Sequence, residues 1–321
     1  MTPEQRAAEL SNIGQAGREF LASHEQFVDK MSAALPAKEF AKVAAQLMVR
    51  VPGMVDQPVS ARREAESQLS RMLQNPSVAA RMLKQGNRAV VVPKSVPMTA
   101  LPEYSKWKDT QTPDLRPWNE VRGLGGFITA ITEENLLGDT TTVGVHESPY
   151  PDGYSTTTHE FAHTIHEYGL DPVAKQLITM AFQSKHQQAQ KDPYGVEWPD
   201  GPPFHVVTGA PVWSYGARNE QEYFAQVTNA YLSTNTGTDP YTGQPRNNGP
   251  GWVRQHEPEL LRFMERLYGP DPQAVHTAQA NPVDKKQAAN DMYAGYRAFM
   301  VNVGAWSASS SHNTSRSVSR R

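Results

Sequence analysis

His159 and His163 stand four residues apart, with Glu160 directly after the first, so residues 157–166 contain the pattern H-E-x-x-H. That spacing leaves the local chain little freedom. On an α-helix it sets two imidazoles one turn apart on one face, where both reach a single metal ion. Glu160 projects beside them, placed to take a proton from a water at such an ion. At about 100° per residue, Phe161, Ile165 and Tyr168 fall on the opposite face, so the helix can pack one side into a core and line a cleft with the other. The same letters carry a purely structural reading: Thr157-x-x-Glu160 has the form of a capping box, with Glu160 bonded back to the backbone of Thr157.

The chain has no cysteine, which excludes disulfides and thiolate ligands and leaves His and carboxylate to hold zinc. It does not fix the compartment. A net charge of −2 gives no nucleic-acid footprint. No apolar run is long enough to span a membrane, and the polar start lacks the basic-then-apolar layout of a signal peptide. With 321 residues there is ample chain for a core, and 25 prolines and 22 glycines predict many loops.

Residues 1–86 read as helices. Thr2-Pro3-Glu4-Gln5 is a start signal, followed by Leu10, Ile13, Phe20, Phe27 and Met31 at helical spacing. A second helix runs from near Pro36 through Phe40, Val43 and Met48 and stops at Pro52-Gly53. A third follows Ser60, and a fourth runs from Asn75-Pro76 to Gly86. After Gly86 the composition changes. Residues 88–93, 127–131 and 140–145 read as strands. The glycines of Gly123-Leu124-Gly125-Gly126 lack nucleotide-loop spacing and are assigned to a turn. The strand at 140–145, just upstream of the histidine helix, is the candidate edge for pairing with a peptide substrate.

Two protein ligands are too few for a catalytic zinc, which takes three. The metzincin pattern would put Gly and His three and six residues after His163; His166 and Gly169 stand there instead. Spacing leaves Glu220 and Glu222 as alternatives. The segment Ser214-Tyr215-Gly216…Asn219-Glu220-Gln221-Glu222-Tyr223-Phe224-Ala225, taken with His159-Glu160-Phe161-Ala162-His163, resembles the lethal-factor-like gluzincins. These are metallopeptidases related to the catalytic domain of anthrax toxin lethal factor. The likeness is concentrated in those two segments, is weaker over 88–235 and is absent from 1–86. It implies an α+β, zincin-like domain: a small mixed sheet, an active-site helix and a later glutamate helix. It also implies His159, His163 and Glu222 as ligands of one zinc per chain, Glu160 as general base, and Tyr215 as donor to the developing oxyanion. Ala162 replaces the usual Gly, His166 stands where Asp is frequent, and Gln226 stands where an acid is common one turn after Glu222. The missing acid puts metal affinity in question.

The resulting division is a helical region 1–86, a zincin-like domain 87–305 containing helices at 173–190, 256–268 and 285–300, and a Ser/Arg-rich tail 306–321 that lacks the apolar content to fold. The expected activity is zinc-dependent endoproteolysis of a protein or peptide substrate, of a toxin or effector type. An inactive interaction protein that keeps the fold, or a zinc hydrolase of cell-wall peptide, is the alternative. The N-terminal helices read as a helical subdomain packed on the catalytic unit, with a docking surface for a delivery or targeting partner as the alternative. The location expected is secreted or delivered without a signal peptide, with the cytoplasm as alternative.

Overall fold

The computed structural model describes residues 15–52, 59–113, 115–138, 150, 152–192, 195–201 and 214–269. The strand expected at 140–145, the helix at 285–300 and the tail lie outside these residues. Helix α1, Gln15–Ala34, belongs to one compact unit. Every described element after it belongs to the other, Ala37–Val275.

The second unit opens with α2 (Ala37–Met48), which buries Phe40, Ala41, Ala44, Ala45 and Met48. Small residues on that face let it lie close to α3 (Val59–Met72), whose Ala61, Ala65, Leu69 and Met72 are also buried. Between them Val49–Arg50 forms β1, a strand the sequence reading ran into the helix and its stop. Its two residues are too few to show a period. Helix α4 (Pro76–Gln85) has the ends its sequence announces. Asn75 accepts from the N–H groups of Ser77 and Val78, Pro76 sits in the first turn, and Gly86 closes the helix at φ 81°.

Strand β2 (Arg88–Val92) pairs in parallel with β1 on one side and with β3 (Ile128–Thr132) on the other, with Val90 opposite Ala130. The result is an α+β fold around a small parallel sheet, to which Leu124 and Ala130 add an antiparallel bridge. One side of the sheet packs Val90, Val92 and Ala130 against Met98, Leu101, Tyr104 and Val121. Thr129, which alternates with Ala130 along β3, hydrogen-bonds Thr164 (2.6 Å) of the histidine helix. The short α5 (Glu133–Leu136) follows β3 directly.

The histidine helix is α6 (Thr156–Thr164), continued by a π-turn at Ile165–Gly169. Ser155, not Thr157, is its cap: the Ser155 hydroxyl accepts from Thr158 N–H. The Thr157 capping box therefore does not form, because the chain turns into the helix two residues earlier and leaves Thr157 inside it. Asp171 caps α7 (Pro172–Lys191), and Asn219 caps α8 (Glu220–Tyr231). Helices α9 (Pro250–His256) and α10 (Pro258–Tyr268) close the described chain. The helix expected at 256–268 is α10, which begins two residues later at Pro258; α9, just before it, was not expected.

Candidate metal centre

Helices α6 and α8 pack against each other, and the contact brings together the two motifs that lie about 60 residues apart in sequence. Helix α6 is held from behind and at both ends. Phe161 and Ile165 are fully buried, and Tyr168 meets Phe127 edge-on. At the N-terminal end, Ser155 donates to Gln68 of α3 (2.8 Å). At the other end, Arg81 and Gln85 of α4 donate to the carbonyls of Gly169 and Tyr168. Along its flank runs the 121–126 segment. A Cβ added to Gly125 would lie 2.5 Å from His163 Cβ and 2.6 Å from the Glu160 carbonyl oxygen. These glycines form the expected turn, and they also permit a backbone-to-helix approach that no side chain allows.

Asn219 sets the other motif. Its side chain accepts from Glu222 N–H (2.9 Å), which puts Glu222 in the first turn of α8 and aims its carboxylate at α6. Behind it, Tyr223 donates to Glu257, which is paired with Lys185 (2.7 Å), and Phe224 is fully buried.

Three donor atoms converge. Glu222 Oε2 lies 3.0 Å from His159 Nε2 and 3.3 Å from His163 Nε2, and the two nitrogens are 3.1 Å apart. Four-coordinate binding at about 2.0–2.1 Å spaces neighbouring donors by about 3.3–3.4 Å, so the triangle is close to the size a metal ion needs. Glu222 Oε2 is also buried without a hydrogen bond of good geometry, although two ring nitrogens face it. An acceptor so placed fits a cation. His159, His163 and Glu222 therefore form a cluster able to bind a metal ion. Electrostatics agree. Burial works against ionisation of Glu222, yet the two imidazoles hold it well below the usual carboxylate range. Burial likewise opposes a charged His159, but Glu222 beside it raises the ring's affinity for a proton, with Gln226 adding a smaller push.

The rival carboxylate points elsewhere: Glu220 accepts from Thr179 of α7 (2.7 Å). His166 is not with the donors either. It is buried against Phe224, and burial lowers it to about 4. One turn beyond His163, it sits in the π-turn and is not among the residues lining the cleft.

The cleft beside the donors measures about 370 Å³ and is lined by Glu160, Tyr215, Tyr150, Tyr154, Tyr241 and Arg246 among others. Tyr215 opens a 3₁₀ turn, Tyr215–Ala217, just before α8. Its ring lies 5.6 Å from that of His159 and stacks on Tyr241, with Arg218 over both. Burial first, then the charges of Glu222 and Glu160, push the phenol up, so the hydroxyl stays a donor near neutrality.

The sequence reading missed one residue here. Asp200 is fully buried and bonds both Gly216 N–H (2.6 Å) and the Gln226 amide (2.5 Å). Burial and then Asp239 push it up to about 7, against the Gly216 N–H and Arg246. Nothing in its local pattern, Trp198-Pro199-Asp200-Gly201, distinguishes it from a turn aspartate.

No family model and no curated protein matches the chain. Among solved structures it is similar to the Pro-Pro endopeptidase PPEP-2 from Paenibacillus alvei, at 17% identity and a TM-score of 0.42, over 70% of this chain and 99% of that one. A likeness this distant adds nothing to what the donor geometry says by itself.

Proposed function

We propose that the chain is a zinc-dependent metalloendopeptidase. The observation that carries this reading is the meeting of His159, His163 and Glu222 within 3.3 Å of one another, at a cleft that Glu160 and Tyr215 also line. Bound zinc supplies Lewis-acid polarisation of the scissile carbonyl and acidifies water. The chain's own residues do the rest. The Glu160 carboxylate takes the proton of the attacking water and returns it to the leaving nitrogen. The Tyr215 hydroxyl donates to the carbonyl oxygen as negative charge builds on it. The aromatic and arginine lining gives a peptide both apolar surface and hydrogen-bond donors.

A protein substrate and a toxin or effector role are proposed on the resemblance to lethal-factor-like gluzincins. Helices α2–α4 are proposed as a scaffold for the histidine helix within their own unit, with a docking surface on the 1–86 helices as the alternative. The bonds from Gln68, Arg81 and Gln85 to the two ends of α6 support the scaffold part.

The test is proteomic identification of new peptide termini after incubating zinc-loaded wild type or Glu160→Gln with cell lysate. The amide keeps the size of the side chain and cannot accept the proton. Cleavages are expected with wild type alone, while both proteins carry equal zinc. Equal sets of termini from both, or none from either, contradict the proteolytic reading.

A further inference from the structure

Tyr215 differs from other tyrosines of the fold in what its hydroxyl does. Tyr104, Tyr154, Tyr223, Tyr231 and Tyr268 are buried, and each is tied through its hydroxyl: to the Ile128 carbonyl, Gln226, Glu257, the Gly269 carbonyl and Thr228. The Tyr215 ring lines the cleft, and its hydroxyl makes no hydrogen bond with a described residue. A hydroxyl that donates to substrate has to be free, so something other than its own bond must aim it. The turn beneath it is fixed. Gly216 N–H donates to the buried Asp200 (2.6 Å), and the N–H groups of Ala217 and Arg218 donate to the carbonyls of Ser214 and Tyr215 (3.0 and 3.2 Å). Those bonds place the backbone and leave the side-chain torsions open. The ring is held by its faces. Tyr241 lies parallel to it, with 3° between the planes and 5.6 Å between the centroids, within the range of offset stacking. The Arg218 guanidinium lies over both rings, 4.0 Å from the Tyr241 centroid and 4.9 Å from that of Tyr215. Tyr241 is 43% exposed, yet it stands on a turn closed on itself. Thr238 bridges Pro245, Asp239 N–H donates to the Gln244 carbonyl (2.9 Å), and the buried Asp239 carboxylate accepts from the N–H and hydroxyl of Thr242 (2.8 and 2.9 Å).

Resting on the reading of Tyr215 as the oxyanion donor, we propose that Tyr241 and Arg218 are positioning residues that aim the Tyr215 hydroxyl into the cleft. Tyr241 gives the ring a flat wall, and Arg218 clamps the two rings together. Tyr241 lies outside both motifs and reaches the site from the turn at 238–245. The clamp orders the donor before substrate arrives, so no ring torsion has to be frozen as charge develops on the carbonyl oxygen.

The experiment is a double-mutant cycle on full-length, zinc-loaded protein, with a quenched fluorescent peptide built on a bond that wild type cleaves. Tyr241→Ala is expected to lower kcat about 10–100-fold, and by no more than Tyr215→Phe does, since misaiming a donor costs at most its deletion. In the Tyr215→Phe background, Tyr241→Ala is expected to leave kcat where Tyr215→Phe put it, because no hydroxyl remains to aim. An effect on KM from the lost cleft wall persists in both backgrounds. Tyr241→Phe keeps the stacked face and is expected to recover the turnover that Tyr241→Ala loses. Arg218→Met is expected to lose about 2–5-fold in kcat, the size of an exposed cation–π contact. Magnetic resonance of isotope-labelled tyrosine rings reads the aim without activity: in Tyr241→Ala the Tyr215 signals are expected to lose their stacking shift and the ring to flip faster. If Tyr241→Ala does not fold, Arg218→Met and its double with Tyr215→Phe carry the cycle. Equal kcat losses in the two backgrounds, or unchanged Tyr215 signals, overturn this inference alone. Wild-type kcat in Tyr215→Phe removes the donor and this inference with it, and no cleavage by wild type overturns the proteolytic reading beneath both.

Discussion

Tyr215 and His166 show how much a single side chain's setting decides. Tyr215→Phe removes one hydroxyl and keeps the ring stacked on Tyr241. Turnover is expected to fall on the order of 10²–10³, with zinc content unchanged. Steady-state kinetics with metal analysis check it, and wild-type turnover removes Tyr215 from the mechanism. His166 predicts a pH effect. Its folded-state value of about 4 lies below the ordinary 6.5, so between those values the unfolded chain binds a proton that the folded one refuses. Stability from this residue is therefore present above 6.5 and is lost as pH falls towards 4, by up to about 3 kcal/mol. His166→Leu is expected to flatten urea-unfolding stability across that window; an unchanged slope contradicts the assignment. At this scale the sequence was informative about the two histidines, because an i, i+4 pair has one geometric meaning on a helix, while spacing left Glu220 and Glu222 open. It was uninformative about His166 and Asp200, whose surroundings come from a π-turn and from a distant loop.

Elements place the site through their ends and their close approaches. Asn75, Asp171 and Asn219 cap their helices as their side chains favour. The boundaries of α4 and α7 were accordingly readable to within a residue or two. Ser155, not Thr157 of the alternative capping-box reading, holds the cap; hydroxyl residues two apart offer the same local signal, and Ser155 also bonds Gln68. Strand β1 was not readable, because two residues carry no period. The 121–126 segment is a second place where an element's position can be tested. Gly125→Ala puts a methyl into the backbone of α6 and is expected to cost about 1–3 kcal/mol and to weaken metal binding through His163. Arg122 anchors that segment by a two-pronged pair with the buried Glu134 (2.7 and 2.9 Å) and by bonds to the Val96 and Pro93 carbonyls. Glu134→Ala strands the guanidinium and is expected to cost about 3–5 kcal/mol in denaturant unfolding. A loss below about 1 kcal/mol would show that the pair is not holding the segment.

For the molecule as a whole, the α+β class agreed with a helical run giving way to strands and with the resemblance, and the amphipathic histidine helix indicated one buried face without saying what it packs on. The parallel order of the sheet did not, because chain direction leaves no mark on a short apolar strand. The account's central claim is that two distant motifs fold into one zinc site. Equilibrium zinc titration of metal-free protein, with stoichiometry by elemental analysis, tests it most directly on wild type, Glu222→Gln and Glu220→Gln. The account predicts one tightly held zinc per chain in wild type and in Glu220→Gln, and binding weakened by orders of magnitude in Glu222→Gln. Wild-type protein that holds no zinc, or a Glu222→Gln variant that binds as wild type does, would contradict it.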